Sequence, residues 1–258
     1  MMTTVRIDDL FDLAASTTIE ARRQFIARFF YANFGGVVRY GPLKGFMLDD
    51  NPSWGPADLA PKLFGLYEYE ILSLLTELRG RHRVLVNLGA GDGYYGVGLV
   101  AAGFFERSIC FESSENGRDG IRRTAQKNGV TERVAILGAA GTDFPNVVGG
   151  LGLKSNDCLI LCDIEGAEFS IFSSQCLASL QGAHLIIELH GYMHVNGSAL
   201  EQNLIRDSEQ LFQASVVKTS ARDLSSIPEL DSIRDSDRWL ICSESRPKLM
   251  SWLILRPK

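Results

Sequence analysis

The chain has 258 residues, of which 45% are hydrophobic and 22% are charged, and its formal net charge is −5 at pH 7. These proportions are typical of a globular protein of one or two domains, and they exclude collagen, coiled-coil and disordered classes. The acidic balance argues against nucleic acid as a partner and gives no general attraction to anionic membranes. We expect neither a signal peptide nor a membrane span, since no apolar run has the required length and flanks.

The cysteine pattern points to a reducing compartment. There are five cysteines, an odd number, and no Cys-x-x-Cys pair occurs. Cys158 and Cys162 lie inside one apolar run, where buried thiols are more typical than zinc ligands. The sequence therefore predicts a cytoplasmic protein with reduced cysteines.

Residues 1–79 are predicted to form a cap of helices and one small hairpin. Thr17 and Glu20 have the spacing of a capping box and would open the first helix. Two short runs, 37–40 and 45–48, flank a Gly-Pro pair and predict the hairpin. Apolar residues at helical spacing then predict a second helix that stops at Gly80.

From residue 80 to residue 258 the sequence predicts an α/β domain. Five short apolar runs alternate with helix-like stretches, as expected of strands that are covered on both faces. The alternation predicts a doubly wound, mainly parallel sheet, to which 214–218 and 252–255 can add strands. A helix is expected over 169–180, and the polar segment 219–238 is expected to form an insertion or a lid-like loop. The five runs are 84–88, 108–111, 134–137, 158–162 and 184–189.

A glycine-rich turn follows the first of these runs. Gly89, Gly91 and Gly93 lie between a predicted strand and an apolar helix, and glycine lets the backbone approach a ligand closely. Glu112 directly follows the second strand, where a carboxylate can accept hydrogen bonds from both ribose hydroxyls of an adenosine. The turn and the acid together predict a cofactor that contains adenosine.

Three functions are compatible with such a cofactor. The spacing Gly91-x-Gly93-x-x-Gly96 matches the dinucleotide fingerprint of an NAD-dependent oxidoreductase, which would also need a hydride-transfer site such as a Tyr-x-x-x-Lys pair. A dinucleotide turn should begin at the end of the strand, however, and Gly89 already lies there. The pattern from Asn87 through Gly93 instead resembles the first motif of class I S-adenosylmethionine-dependent methyltransferases, in which an acid is more common than Asn. A cofactor-binding protein without catalysis is the third possibility, and Asn87 alone supports it.

Further motifs over about residues 40–258 resemble those of the FkbM family of methyltransferases. The matching segments are Gly65-Leu-Tyr67-Glu68, the glycine turn, Phe-Glu112-Ser, Asp163-Ile-Glu-Gly-Ala-Glu168, Ile187-Glu188-Leu-His190 and the tail around Arg246 and Trp252. The resemblance implies a Rossmann-like seven-stranded sheet whose last strand is antiparallel. It also implies S-adenosylmethionine as cofactor and methyl transfer to an oxygen of a sugar or secondary metabolite, so the expected partner is a small molecule or glycan.

The expected cofactor site is centred on the glycine turn. By the resemblance, Tyr67 and Glu68 would close over the methionine end of the cofactor. The small Ala140 would leave space for the adenine ring, and Asp143 would bind the adenine amine. The full expected set is Tyr67, Glu68, Asn87, Gly89, Ala90, Gly91, Gly93, Glu112, Ser113, Ala140, Asp143 and Asp163.

Catalytic residues are expected at the ends of two neighbouring strands. Methyl transfer to a hydroxyl needs an in-line arrangement of the reacting atoms and removal of a proton. Asp163 ends the fourth predicted strand, and Glu188 and His190 lie at the end of the fifth. We expect His190 to be the general base, Asp163 to line the methyl-donor pocket, and Glu188 to orient His190 or the substrate. The same three groups could instead hold a divalent metal, an alternative that we do not favour.

Overall fold

The structure is a computed structural model that describes residues 18–52, 55–244 and 246–258. Within these residues, seven strands form one sheet in the order β3-β2-β1-β4-β5-β7-β6. The strands from β3 to β5 are parallel, whereas β7 runs antiparallel to both β5 and β6. The strands are β1 (Val84–Leu88), β2 (Arg107–Phe111), β3 (Val134–Leu137), β4 (Cys158–Cys162), β5 (His184–Glu188), β6 (Phe212–Lys218) and β7 (Ser251–Pro257).

This topology confirms the predicted fold, a Rossmann-like, doubly wound sheet of seven strands. The strand order reverses between β1 and β4, which are neighbours at the centre of the sheet. In open α/β sheets a crevice for a ligand opens at such a switch point, outside the carboxyl ends of the strands. Here the backbone N of Asp163, just after β4, donates to the Leu88 carbonyl at the end of β1 at 2.9 Å. The two strand ends are therefore fixed side by side.

The sheet is covered on both faces, and every residue of β1, β4 and β5 is buried. This burial explains why these strands are continuously apolar in sequence. One face packs against the cap and the two helices that follow β1 and β2, and the other packs against the helices that follow β3, β4 and β5. In chain order these six helices are α4 (Tyr94–Ala101), α5 (Glu115–Lys127), α6 (Phe144–Gly150), α7 (Glu168–Ile171), α8 (Ser174–Ser179) and α9 (Gly197–Glu209).

The cap is continuous with the core of the sheet. It contains α1 (Ile19–Phe34), α2 (Leu59–Leu63) and α3 (Tyr69–Glu77). Phe30 packs edge-on against Phe64 with ring centroids 4.8 Å apart, and both belong to the same buried cluster as Leu99 of α4. Because the cap shares this cluster, it is held in a fixed position beside the glycine turn.

Two details of the cap differ from the prediction. The N-cap residue of helix α1 is Thr18, whose Oγ1 accepts a hydrogen bond from the backbone N of Ala21 at 3.2 Å. The predicted cap residue Thr17 lies outside the described residues. The predicted hairpin is reduced to one bridge between Val37 and Met47, because the glycines between them adopt positive φ and turn the chain.

Two segments of the α/β domain also differ. The helix expected over 169–180 is split into α7 and α8, because the Ser173 hydroxyl accepts from the backbone N of Cys176 at 3.3 Å and caps a new helix. The segment 219–238 is not a free lid. Its apolar residues, spaced three apart among polar ones, are buried in the same cluster as the cap, and Asp237 of α10 (Asp235–Ile241) pairs with Arg22 at 2.8 Å. These buried residues are Ile227, Leu230 and Ile233.

The sequence made predictions about membrane-spanning helices and about the cysteines. In the part of the chain that the structure describes, no helix combines the length and apolar character needed to cross a membrane. All five cysteines are free, and Cys158 and Cys162 are buried in β4 as predicted. Burial raises the pKa of Cys110 to about 12, so this thiol stays protonated and serves as a packing residue.

Candidate active site

A cavity of about 510 Å³ opens at the carboxyl ends of the central strands. The cap borders it on one side, and the segment leading into β7 borders it on another. The structure therefore brings most of the predicted site together at the switch point of the sheet. The predicted residues in the cavity wall are Tyr67, Gly89, Gly91, Glu112, Ser113, Ala140, Asp163, Glu188 and His190.

The glycine turn lies tightly against the end of β4. Gly89 has a φ of +76°, and a Cβ at this position would overlap the carbonyl oxygen of Asp163. Both the conformation and the close approach require glycine. The backbone N of Gly91 donates to Oε2 of Glu112 at 2.8 Å, so the turn is also fixed to the acid that follows β2.

Glu112 is held rigidly at the edge of the cavity. Its Oε1 accepts a hydrogen bond from the backbone N of Ser114 at 2.8 Å, while Oε2 accepts from Gly91. Each carboxylate oxygen keeps a further lone pair for a ligand hydroxyl. Gly117 makes room for this arrangement, since a Cβ there would lie 2.7 Å from Cγ of Glu112 and 3.0 Å from the Gly91 carbonyl oxygen. Sequence reasoning missed Gly117, a glycine inside a helix, although its place in the first turn of α5 was a usable signal.

Five of the predicted cofactor residues do not line the cavity: Asn87, Ala90, Gly93, Asp143 and Glu68, the last of which is described below. Asn87 is buried beneath α4, where its Oδ1 has no hydrogen-bond partner among the described residues and its Nδ2 is 3.4 Å from the Leu161 carbonyl. Asp143 borders a separate depression near Pro145. Gly93 caps α4 behind the turn with a φ of +89°. The positions of Asn87 and Asp143 give no support to direct cofactor contacts. Ala90, also buried, shapes the turn from behind the wall.

His190 lies where the polar groups converge. It is buried, and its Nε2 is 3.5 Å from Oδ1 of Asp163, 3.7 Å from Oε2 of Glu165 and 3.8 Å from Oε2 of Glu188. Its Nδ1 lies 3.4 Å from Oε1 of Glu168. Burial lowers the pKa of His190, but the Glu168, Asp163 and Glu165 carboxylates outweigh this effect and raise it above its ordinary value.

The carboxylate beside Nδ1 is therefore that of Glu168 and not that of Glu188. The Oε1 atom of Glu168 also accepts from the backbone N of His190 at 2.7 Å. The sequence contained a signal for Glu168, because it closes the Asp163-Ile-Glu-Gly-Ala-Glu motif. Its role was not predicted, since α7 brings it back to His190 only in three dimensions.

Asp163 and Glu188 share a low-dielectric environment. Burial raises the pKa of Asp163, although the charges of His190 and Arg246 oppose the shift. Burial also raises the pKa of Glu188 well above its ordinary value, and the charges of Asp163 and Glu68 add to the effect. Two acids this close favour retention of a proton between them.

Arg246 is the central cation of the site, and in the sequence it was noted only as part of the tail that resembles the FkbM family, without a role in the site. Its Nε donates to Oε2 of Glu244 at 2.8 Å, its Nη1 donates to Glu188, and its Nη2 donates to Glu68. Glu244 in turn accepts from Arg222 at 2.9 Å. This ion-pair chain ties the segment before β7 to the cap.

Glu68 lies behind the wall and not in it. It has a φ of +44°, its Oε2 accepts from the Tyr95 hydroxyl at 2.6 Å, and its Oε1 pairs with Arg246. Burial raises the pKa of Glu68 to about 7, and the charges of Asp163 and Glu244 contribute while Arg246 opposes. Glu68 thus positions Arg246 and does not touch the cavity directly.

Two overlapping groups of side chains have the donor atoms for a divalent metal. One is Asp163, Glu165 and His190, and the other is Glu68, Asp163 and Glu188, with the donor atoms of each group within 4.8 Å of one another. The guanidinium of Arg246 pairs with two members of the second group and competes with a cation there. In the first group, the carboxylates raise the pKa of His190, so a proton competes with a metal for its ring nitrogens.

Several methyltransferases of known structure resemble this chain at low sequence identity. No protein-family model matches the chain, and no curated protein matches its sequence. A SAM-dependent O-methyltransferase from Thermotoga maritima superposes with 14% identity over 74% of this chain and 66% of its own, at a TM-score of 0.48. A precorrin-6Y C5,15-methyltransferase from Geobacter metallireducens superposes with 11% identity over 83% of this chain and 94% of its own, at a TM-score of 0.47. A tRNA methyltransferase from B. subtilis superposes with 10% identity over 72% of this chain and 64% of its own, at a TM-score of 0.45. What the chain shares with these proteins is the fold.

Proposed function

We propose that the chain is an S-adenosylmethionine-dependent methyltransferase that methylates a hydroxyl of a small molecule or glycan. One observation carries the proposal: a single cavity joins the glycine turn and Glu112 at one end to His190 and Asp163 at the other. A site for an adenosine cofactor and a candidate base are thereby within reach of one bound acceptor. The motif resemblance around Asp163 and His190 supports membership of the FkbM family and an oxygen acceptor.

The residues of the cavity fit this cofactor. Gly89 and Gly91 leave the turn open to a ligand, and Glu112 has lone pairs available for two ribose hydroxyls. Ala139 and Ala140 line the adjacent wall, and their small side chains leave space for a flat base. When bound, the cofactor supplies an electrophilic methyl group on a sulfonium, and the acidic wall suits that positive charge.

His190 is assigned the role of general base. Its Nε2 faces the carboxylate side of the cavity, where an acceptor hydroxyl can donate to it. Glu168 beside Nδ1 favours the tautomer with the proton on Nδ1, which leaves the Nε2 lone pair free. Asp163 and Glu188 then orient the acceptor by accepting hydrogen bonds from it. Removal of the hydroxyl proton by His190 would make the oxygen a stronger nucleophile for the in-line displacement, in which the carbon–sulfur bond breaks and S-adenosylhomocysteine is the leaving group.

The wall also restricts the acceptor. Asp163, Glu165 and Glu188 lie near Nε2, so an anionic acceptor would be repelled at the point of attack. A neutral polyol offers hydroxyls that these carboxylates can accept from. We place the enzyme in the cytoplasm, with the free cysteines as support.

The oxidoreductase alternative is less consistent with the site. The sequence does contain one Tyr-x-x-x-Lys spacing, Tyr40 to Lys44, but neither residue lines the cavity. The Tyr40 hydroxyl donates to Glu229, and Lys44 is exposed on the cap. No hydride-transfer pair therefore faces the glycine turn within the described residues.

A thermal-shift titration of the whole chain with S-adenosylmethionine, S-adenosylhomocysteine and NAD tests the cofactor. A ligand at 100 times its dissociation constant adds about 2.7 kcal/mol, which is a shift of several degrees. We expect a shift with both sulfur ligands and none with NAD. A shift with NAD alone would overturn the proposal. A positive result would be followed by a screen of neutral hydroxyl acceptors, in which S-adenosylhomocysteine formation is measured.

A further inference from the structure

The side chain of Lys62 enters the cavity from the cap. Lys62 lies near the end of α2, and only 10% of its side chain is exposed. Its Nζ is 5.0 Å from the ring centroid of Tyr67 and 5.2 Å from that of Tyr94. Such cation–π contacts hold an ammonium group in place without using its N–H donors.

These donors lack a good acceptor in the described part of the chain. Asp92 Oδ1 is 3.7 Å from Nζ, which is beyond hydrogen-bond distance. An ammonium carries three donors, and its burial is costly unless they are satisfied. Because Lys62 is in the cavity wall, an anionic ligand in the cavity can supply the missing acceptor.

The other fixed cation of the described wall is not available to such a ligand. Arg246 donates from Nε, Nη1 and Nη2 to Glu244, Glu188 and Glu68, so three carboxylates already surround it. A carboxylate that enters near Arg246 would meet these acids as well. Lys62 is therefore the cation in the described wall with donors to spare.

The position of Lys62 indicates which carboxylate it meets. Its neighbour Asp92 follows Gly91 in the glycine turn, and Gly91 donates to Glu112. Lys62 and Glu112 thus approach two adjacent residues of the turn, Asp92 and Gly91, from the cap and from β2. A ligand whose ribose is bound by Glu112 spans this stretch, and S-adenosylmethionine carries one carboxylate, at its amino-acid end.

We infer that Lys62 binds the carboxylate of the amino-acid part of S-adenosylmethionine, with the rings of Tyr67 and Tyr94 fixing the ammonium. This inference rests on the proposed function. In this arrangement the cap supplies an ionic contact to the cofactor, while the sheet supplies the ribose contact through Glu112. The cap is then part of the cofactor site as well as a cover for the acceptor.

The test compares two ligands that differ by the amino-acid part. S-adenosylhomocysteine has the carboxylate, whereas 5′-methylthioadenosine has the adenosine and the thioether only. Binding of each is measured by calorimetry for the unchanged chain, Lys62→Met, Lys62→Arg and the exposed control Lys44→Met. We expect Lys62→Met to weaken S-adenosylhomocysteine at least tenfold and to leave methylthioadenosine within twofold. Lys62→Arg should recover most of the loss, and Lys44→Met should change neither ligand.

Other outcomes of these binding measurements would overturn the assignment of Lys62. Equal weakening of both ligands by Lys62→Met, or no weakening of either, would overturn the assignment. An unchanged affinity for S-adenosylhomocysteine with a raised KM for the acceptor would also overturn it, because the carboxylate would then belong to the acceptor. If the unchanged chain bound neither adenosine ligand, the proposed function itself would fail. This outcome is seen in the unchanged chain, so it is distinct from any effect of Lys62→Met.

Discussion

Glu168 contacts His190 at two points. Its Oε1 accepts from the backbone N of His190 at 2.7 Å and lies 3.4 Å from Nδ1 of the same residue. Its Oε2 accepts from the backbone N of Gly166 at 2.9 Å, so the buried carboxylate cannot turn away. The backbone of His190 is thus held in place, and the Glu168 carboxylate lies beside Nδ1, which has no hydrogen-bond partner among the described residues. Nε2 lies towards Asp163 and Glu165 in the cavity wall.

Replacement of His190 by Ala should remove the base without removing the cofactor site. We expect kcat to fall by about 10²–10⁴-fold, which is the usual contribution of a general base. The affinity for S-adenosylhomocysteine should stay within about threefold, because Glu112 and the glycine turn are unchanged. Single-turnover rates and calorimetry measure the two effects separately. Turnover of His190→Ala close to that of the unchanged chain would remove His190 from the mechanism.

The pH dependence of the reaction should report the environment of His190. A base works in its neutral form, and the carboxylates around His190 raise its pKa despite burial. The specificity constant kcat/KM should therefore rise with pH, with a midpoint above about pH 6.5, which is the ordinary pKa of histidine. Glu168→Gln removes one negative charge, so it should move this midpoint to lower pH and reduce kcat about tenfold.

A structural defect in Glu168→Gln would lower kcat without moving the midpoint. The pH profile therefore separates a positioning role from simple damage. Glu201→Gln is the matched control, since Glu201 accepts from Gly191 at 3.1 Å, next to His190 in sequence, without contacting the imidazole. The same midpoint in Glu168→Gln and in the unchanged chain would contradict the assignment.

Gly89→Ala should destabilise the fold more than its backbone conformation alone explains. Its φ is +76°, and the new Cβ would overlap the Asp163 carbonyl oxygen, a backbone atom that cannot move aside. We expect the free energy of unfolding in urea to fall by about 3 kcal/mol. Gly129→Ala is the control, because Gly129 has a φ of +65° and open space around it. Its cost should be about 1 kcal/mol. Equal costs would show that the contact with Asp163 is unimportant.

The pair of His82 and His184 should make the protein sensitive to acid. Their Nε2 and Nδ1 atoms are 2.7 Å apart, and burial together with the charge of His82 lowers the pKa of His184 to about 4. The unfolded chain takes up this proton near pH 6.5, so the stabilisation is complete above that pH and is lost as the pH falls towards 4. Urea midpoints at pH 7.5 and 5.0 should differ less in His184→Gln than in the unchanged chain or in the exposed control His194→Gln. An unchanged difference in His184→Gln would refute this explanation.

Chelation of metal ions should leave turnover unaffected. Arg246 pairs with Glu68 and Glu188, and the surrounding carboxylates raise the pKa of His190, so a proton competes with a metal for its ring. Both conditions disfavour a divalent cation at the two candidate groups. The measurement is the initial rate after dialysis against EDTA, with and without added Mg²⁺ or Mn²⁺. Loss of activity that either ion restores would show that the acidic groups hold a metal.

The sequence alone determined the sheet and the turn. Strands with continuous apolar residues are recognisable because both faces are buried, and the β1 and β4 boundaries agree with the predicted runs 84–88 and 158–162. Gly89 and Glu112 were recognisable for the same local reason, since one conformation and one spacing fix them. The burial of the segment 219–238 was not predicted because its buried residues are separated by polar ones, and a local pattern does not show what they pack against.

Only the tertiary structure decided how the charged residues combine. Glu168 reaches His190 across 22 positions, and Arg246 reaches Glu68 across 178. The partner of a charged side chain depends on which loops share an edge of the sheet, and hydrophobic periodicity carries no information about this. The sequence therefore determines which chemical groups are present at the strand ends. The fold determines which of them are buried together and so sets their pKa values and their orientation.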